Sequence, residues 1–586
     1  MRSGWYLFAI AGVLLLGGAG RLVQLEYAKG SDLRTLGAKQ QTATFAIAAQ
    51  RGDVLDARGR VLAGSVRRPS IFVDGSLVSD PRFAAASIAP VLGLRAAALE
   101  KQLIEKKDDL FQWVKRSLSD AEVEAFRELR RTRNLKAFDV QFEPHRVYPY
   151  KQLAAQVIGF VGAEQNGLAG IEQSFEKHLL GIPGKRSATV DMRRRRLQDI
   201  PDGYHAPIDG SSVILTIDAH LQQRAEYHLK NAVTQFKAKW GTAVLMDPQT
   251  GEILAMATYP SFDPAEPMPS GPMTKEQEEE AREHLRNRAI TDSYEPGSIF
   301  KPFIVGPALD QKLVSLDEVL AINGPTRQFG GRTIHDTHAY DRLAIWEVIS
   351  KSSNIGMGIL GSRIGNDKLH RIVRLFGFGD QTGVPLTGEH HGLVQDYSRW
   401  GPFSTQSIPI GQEIAITPIQ MLTAFSVFCN DGMLMRPRIV RGVVNHEGET
   451  IEDYSQPVAI RRVISPESAQ LLRHKALAEV VISGTGKKAA IPDYQVFGKT
   501  GTAQIARENG RGYLPNTYVG SFVAGAPLSK PRAAIIVSLF RPSGGQYYGG
   551  TVAAPCAGEI LADAMQYMKV PPEPGVKVAG DGPGGD

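Results

Sequence analysis

The ten residues "YEPGSIFKPF", Tyr294 to Phe303, set a serine directly after a Pro-Gly break and a lysine three positions later in an apolar run. Pro296-Gly297 ends an extended segment, Ser298 stands at a helix start, and Pro302 suits the first turn, where its missing N–H costs little. Ile299, Phe300, Phe303, Ile304 and Leu309 predict that this helix is largely buried. At i and i+3, Ser298 and Lys301 share one of its faces. An amine held against such a core is partly desolvated, which disfavours its ammonium form and lets it accept a proton. A serine hydroxyl alone is a weak nucleophile and needs such a base.

Spacing alone decides little, because "SFEK" at Ser174–Lys177 repeats it in the ordinary helical surroundings "GIEQSFEKHLLG". Two further elements single out the later copy. "KSSN" places Ser352, Ser353 and Asn354 between the helical stretches "LAIWEVIS" and "IGMGIL". "FGKTGTAQ" places Lys499, Thr500, Gly501 and Thr502 in a strand after the apolar "YQVF". The three elements stand in this order, about fifty and then about a hundred and fifty residues apart.

The surrounding texture predicts the fold class. From Ser212, "SVILTID" reads as a strand, "AHLQQRAEYHLKNAVTQF" as an amphipathic helix, and "GTAVLMDPQTGEILAMAT" as a hairpin turning at Asp247–Gly251. "YVGSFVAGAP" and "AAIIVSLFRP" read as two more strands, followed by the helix "CAGEILADAMQYM". Strands at both ends with helices between predict an α/β (α+β) domain, an antiparallel sheet covered by helices. Upstream, Arg51–Val66 reads as strand, turn, strand around Gly59, and "DAEVEAFRELRRTR" as an exposed helix. "VDMRRRRLQDIPDGYHAPIDGSS" reads as loops with a boundary near residue 212 and a solvated arginine run at 193–196. The expected division is an anchor at 1–25, a mixed α+β pedestal at 26–212, a catalytic domain at 213–570 and a disordered tail at 571–586.

Composition bounds the partners. The 586 residues carry 67 basic and 61 acidic side chains, a net charge of +6, too small to call for a nucleic-acid partner. Gly4 to Gly20 hold no charge, and their 17 residues are the short end of a membrane-spanning helix. Continuation into "RLVQLEYAKG" favours an uncleaved anchor over a signal peptide cut at "GGAG". Cys429 and Cys556 sit in apolar runs and read as buried, inert thiols. "TKEQEEEAREHLRNRA" has the i, i+4 charge pattern of a solvated helix. His335, His338, His390 and His391 lack a clear third ligand, so no metal is expected, and no cofactor. "SGTGKK" at 483–488 lacks P-loop spacing and reads as a loop.

The three elements together resemble the penicillin-binding protein and serine β-lactamase superfamily. "RGDVLDARGRVLA", "RVYPYKQLAAQVIGFVG" and "GLAGIEQSFEKHLLG" resemble the pedestal motifs of class B penicillin-binding proteins. "NRAITDSYEPGSIFKP", "GQEIAITPIQM" and "YYGGTVAAP" look like that class's transpeptidase domain, and the texture is most similar to the septal, cell-division enzyme. The resemblance implies a peptidoglycan D,D-transpeptidase in which Ser298 attacks a stem peptide ending in D-Ala-D-Ala with Lys301 as base. Ser352 would relay a proton, Asn354 would hold the peptide backbone, and Lys499, Thr500 and Thr502 would hold the terminal carboxylate. The N–H groups of Ser298 and Thr502, around Gly501, would form the oxyanion hole. It further implies β-lactams as covalent inhibitors, a membrane-embedded glycosyltransferase and other division proteins as partners, and a single-pass inner-membrane protein with its catalytic domain in the periplasm. The alternatives are an elongation-type transpeptidase, a D,D-carboxypeptidase, and a non-catalytic division scaffold or β-lactam sensor. One departure stands out: Ile299-Phe300 follows the serine where the family often carries smaller residues, and is expected to narrow the groove or change β-lactam affinity.

Overall fold

The computed structural model describes residues 2–190, 196–507 and 512–573; the arginines at 193–195 and the expected tail beyond 573 lie outside the described residues. The chain divides into two compact units: a smaller one of Met1–Arg51, Arg67–His145 and Leu180–Gly210, and a larger one of Gly52–Val66, Arg146–Leu179 and Ser211–Asp586.

The larger unit is built on a five-stranded sheet in the order Ile253–Tyr259, Trp240–Met246, Ala533–Phe540, Tyr513–Ala526, Phe497–Ala506. Every neighbouring pair is antiparallel, as the sequence predicts. Trp240–Met246 and Ala533–Phe540 are buried at every position, as central strands covered on both faces must be. Their period of two divides them between two cores. Ala243, Leu245, Ile535 and Val537 pack with Leu229, Ile560 and Leu561 from the helices Ala219–Gln235 and Ala554–Tyr567. Val244 and Ile536 pack instead with Phe303, Phe425 and Phe428 from the helical layer on the other side. Phe497–Ala506 ends the sheet and leaves one edge for the catalytic elements.

Three stretches read as pedestal motifs lie in this larger unit and are tied to one another through buried charge. Arg146 Nε donates to Glu172 Oε1 at 2.6 Å, with side chains 2% and 0% exposed. Arg146 Nη1 donates to Gly52 O at 2.8 Å. Asp56, on the turn carrying Gly59 at φ +79°, accepts from Arg58 N, Arg60 N and Ala219 N. Arg58 and Arg60 both pair with Asp218, which caps the helix Ala219–Gln235.

In the smaller unit one expectation is corrected. Arg196–His205 is a strand, not a loop: it pairs antiparallel with Gly184–Val190, which pairs in turn with Thr42–Ile47. Its register is broken opposite Arg186/Ala188, the span that holds Pro201 and Gly203, and it lies at the sheet edge. Proline and glycine are tolerated at an edge bulge, where no ladder N–H is needed. The helix Asp120–Arg133 forms with a Ser119–Glu122 capping box. The N-terminal helix runs from Arg2 to Gln41, and its stretch Phe8–Tyr27 is long and apolar enough to cross a membrane. In the larger unit, Lys275–His284 buries no residue and carries a Glu278–Arg282 pair at 2.6 Å, and both cysteines are free and buried.

Removing Glu172 takes from the buried Arg146 its 2.6 Å carboxylate partner. Glu172→Ala is expected to destabilise the larger unit by about 3–5 kcal/mol, read as a lower denaturation midpoint by circular dichroism of the detergent-solubilised chain.

Candidate active site

Gly297–Phe300 forms a single 3-10 turn that runs into the helix Lys301–Asp310, with Pro302 in the first turn as predicted. The turn is pinned on both sides. Tyr294 and Ile416 exchange backbone hydrogen bonds of 3.0 and 2.9 Å, and Gly297 N donates to Gly411 O at 3.0 Å. Tyr294 OH reaches Ser538 Oγ at 2.8 Å and Ser521 Oγ at 3.2 Å in the sheet. Gly297 at φ +58° supplies a backbone that side chains disfavour. Ile299 and Phe300 are fully buried, and Phe300 packs against Phe303 and Phe378. They therefore lie beneath the turn and do not narrow the groove, because successive side chains of a helical turn point in different directions. Ser298, half-buried, faces a cavity of about 110 Å³ also lined by Glu295, Asn354, Gln412 and Thr502.

Two fully buried lysines meet at one serine. Lys301 Nζ donates to Ser352 O at 2.6 Å, Asn354 Oδ1 at 2.8 Å and Ser352 Oγ at 3.1 Å. Lys499 Nζ donates to Thr500 O at 2.9 Å and to the same Ser352 Oγ at 3.0 Å. Burial pushes Lys301 down to about 7, opposed by the charge of Asp336. Burial and the neighbouring Lys301 push Lys499 well below the usual lysine range. When both amines donate to Ser352 Oγ, its two lone pairs are filled and its own proton is free to be given away. Ser298 Oγ is not among the three groups to which Lys301 donates, so the direct pairing expected from the i, i+3 spacing is replaced by a lysine held toward Ser352.

The Ser352–Asn354 loop depends on a residue the sequence reading passed over. Ser352 has φ +62°, unfavourable for a residue with a Cβ. Asp336 fixes the loop from outside: its carboxylate accepts from Ser353 Oγ at 2.5 Å, Asn354 N at 2.5 Å and Ile355 N at 3.0 Å. His335 O accepts from Asn354 Nδ2 at 3.0 Å. Ser353 also caps the helix Asn354–Ile364 by accepting from Gly356 N. In "HDTH" the histidines drew attention as possible ligands, whereas the aspartate between them orders the site. Among the described residues no group of three or more His, Cys, Asp or Glu is placed to hold a metal ion.

Along the edge strand, alternation turns Lys499, Gly501 and Ala503 to one face and Thr500 and Thr502 to the other. A Cβ on Gly501 would stand 2.9 Å from Ile299 Cγ2 and 3.0 Å from Pro296 O, so only glycine lets the serine turn dock here. Thr500 Oγ1 is paired at 2.6 Å with Thr485, in the loop that superficially resembles a P-loop. Thr502 lines the cavity with Ser298, and its Oγ1 accepts from Gly549 N at 3.1 Å. The six polar residues Ser298, Lys301, Ser352, Asn354, Lys499 and Thr502 are thus brought to one edge of the sheet, while the Thr500 hydroxyl turns toward Thr485.

Comparison with known proteins gives a consistent picture. The model of the penicillin binding protein transpeptidase domain matches residues 241–562. That of the penicillin-binding protein dimerisation domain matches residues 46–215. The chain is 32% identical over 560 residues to stage V sporulation protein D of Bacillus subtilis, covering 94% of this chain and 83% of that one. It is 31% identical over 585 residues to peptidoglycan D,D-transpeptidase FtsI of Escherichia coli, covering 97% and 93%. Among solved structures it is similar to penicillin binding protein 3 of Mycobacterium tuberculosis complexed with aztreonam, at 28% identity and a TM-score of 0.68, covering 90% of this chain and 98% of that one.

Three measurements check the site. Asp336→Asn is expected to slow acylation of Ser298 by about 10–100-fold, hydrogen bonds to a charged group being about 1.5–3 kcal/mol each, measured by intact mass against time. With Lys301 pushed down to about 7, the acylation rate is expected to rise with pH through about 7. The stability linkage has the same sign. Between about 7 and the ordinary value of 10.5 the unfolded lysine binds a proton that the folded one does not, so stability grows with pH across that window. Lys301→Met lacks this dependence, and the gap between the two unfolding curves should change accordingly; parallel curves would show that Lys301 stays charged.

Proposed function

The chain is a class B penicillin-binding protein, a member of the family whose transpeptidase and dimerisation domains it matches, and on that premise we propose how its residues cross-link peptidoglycan. The carrying observation is Ser298 on a cavity it shares with Asn354 and Thr502, where Asn354 is held by Lys301 and two buried lysines share the Ser352 hydroxyl. Ser298 Oγ attacks the carbonyl of the penultimate D-Ala of a stem peptide. Its proton passes to the amine of Lys301, which burial keeps available for it. Ser352 hands a proton to the departing terminal D-Ala, and a lysine donating to Ser352 Oγ replaces it. The N–H groups of Ser298 and Thr502 meet the oxyanion, each such donor contributing about 2.7–4 kcal/mol in comparable sites. Lys499 and the hydroxyls of Thr500 and Thr502 hold the terminal carboxylate, and Thr485 orients Thr500. Asn354 holds the peptide amide. Transfer of the acyl group to an amine of a neighbouring strand completes the cross-link, and a β-lactam is trapped as a stable ester of the same serine.

The relative named FtsI supports a septal role. The stretch Phe8–Tyr27 serves as a single membrane anchor, with the remainder on the periplasmic side, where stem peptides are found. In this reading residues 26–212 form the pedestal, of which Gly52–Val66 and Arg146–Leu179 belong to the larger compact unit, residues 213–570 form the catalytic domain, and the glycan is supplied by a membrane-embedded glycosyltransferase within a set of division proteins. The matches at 46–215 and 241–562 support this division.

The test is covalent labelling of the full-length chain in detergent with a fluorescent penicillin, read by intact mass beside Ser298→Ala. A single long-lived adduct on the native chain, absent from the variant, is the expected result. An adduct retained by Ser298→Ala, or none on the folded native chain, refutes the assignment; rapid turnover of the penicillin favours hydrolysis over transfer.

A further inference from the structure

The acyl-transfer reading leaves one proton unassigned. An acceptor amine arrives as an ammonium, which has no lone pair to attack with. The lysine pair is a poor place to take its proton, because two amines already crowd Ser352 and burial there disfavours every added positive charge. Among the described residues lining the cavity beside Ser298, Glu295 alone carries an ionisable carboxyl.

Its placement is built from several elements. Glu295 precedes the serine turn by two residues. Glu295 Oε1 accepts from Glu413 N at 2.9 Å, and Oε2 accepts from Tyr513 OH at 2.8 Å on the strand Tyr513–Ala526. Glu413 is fixed in turn: it has φ +63°, and its Oε2 accepts from Ser404 Oγ at 2.7 Å. Arg332 donates to Gln412 Oε1 at 2.8 Å and lies 3.8 Å from Glu413. A carboxylate oxygen accepting one hydrogen bond keeps a second lone pair, so this carboxylate is held rigidly with capacity left for a donor. Burial foremost, and then the charge of Glu413, push Glu295 above the ordinary carboxylate range; Tyr513, the Glu413 N–H and Arg332 oppose the shift. The result is a stronger base than a solvated carboxylate.

We propose that Glu295 is the catalytic base for the acceptor: it binds the incoming primary ammonium in the cavity beside Ser298 and takes its proton. The steps balance. The ammonium gives one proton to the Glu295 carboxylate and becomes a free amine. The amine nitrogen attacks the Ser298 ester carbonyl, an amide C–N bond forms, and the C–O bond to Ser298 Oγ breaks. The second nitrogen proton returns to Ser298 Oγ through Ser352 and Lys301, and the carboxylic acid of Glu295 loses its proton to water.

This assignment rests on the acyl-transfer reading, and the experiment separates the two. The full-length chain in detergent is given a D-alanyl thioester as donor and D-alanine as the amine, and amide formation, thioester hydrolysis and penicillin acylation are measured separately. Glu295→Gln is expected to lower amide formation by about 10²-fold or more, as loss of a general base does, with a far smaller effect on penicillin acylation. Glu295→Asp should restore part of the transfer. Tyr513→Phe removes a donor that favours the carboxylate, so the acid limb of amide formation should move to higher pH. Amide formation and acylation falling in equal proportion would show that Glu295 only supports the serine turn and would overturn the proposal, as would amide formation that survives Glu295→Gln. If the native chain forms no acyl adduct at all, the acyl-transfer reading itself falls.

Discussion

Two lysines buried against one serine hydroxyl are the constraint around which the larger unit is arranged. A buried ammonium is costly unless every proton finds an acceptor, and two of them within reach of the same oxygen also repel. Lys301 and Lys499 reconcile this by sharing Ser352 Oγ and by each taking a nearby backbone carbonyl, Ser352 O and Thr500 O. The shortfall is expressed as depressed basicity, which an acyl-transfer site needs. The cost is local and appears in the left-handed backbone of Ser352, which Asp336 and the cap by Ser353 keep in place.

The sheet makes this convergence possible. Central strands buried on both faces separate a core under the terminal helices from a core under the catalytic layer, and the period of two assigns each side chain to one or the other. At the edge, the same period directs Lys499 toward Ser352, and Gly501 leaves the space in which Ile299 seats the serine turn. Tyr294 fastens that turn to the sheet through two serine hydroxyls, so Ser298 is carried by packed secondary structure on both sides. Within the lining of the Ser298 cavity, Glu295 is locked by Tyr513 and by the backbone of Glu413.

Much of this was legible in the sequence because it is local. The Pro-Gly break placed the turn, and the stretches "GTAVLMDPQTGEILAMAT", "YVGSFVAGAP" and "AAIIVSLFRP" read as strands that the structure joins in one sheet. The strand at Arg196–His205 was hidden by Pro201 and Gly203, since a composition rule cannot tell a loop from an edge strand with a bulge.

What tertiary structure alone decided are the contacts between residues far apart in the chain. The chain's own residues set which groups are available: two serines, two lysines, an asparagine and a glycine-bearing strand. They did not set that Lys301 turns to Ser352, that Thr500 is engaged by Thr485, that Asp336 orders the Ser352–Asn354 loop, or that Glu295 shares the cavity of Ser298. Periodicity reports which way a side chain leaves its own helix or strand. Which partner it meets depends on how distant elements pack, and a lone aspartate or glutamate in a loop carries no periodic signal of that packing.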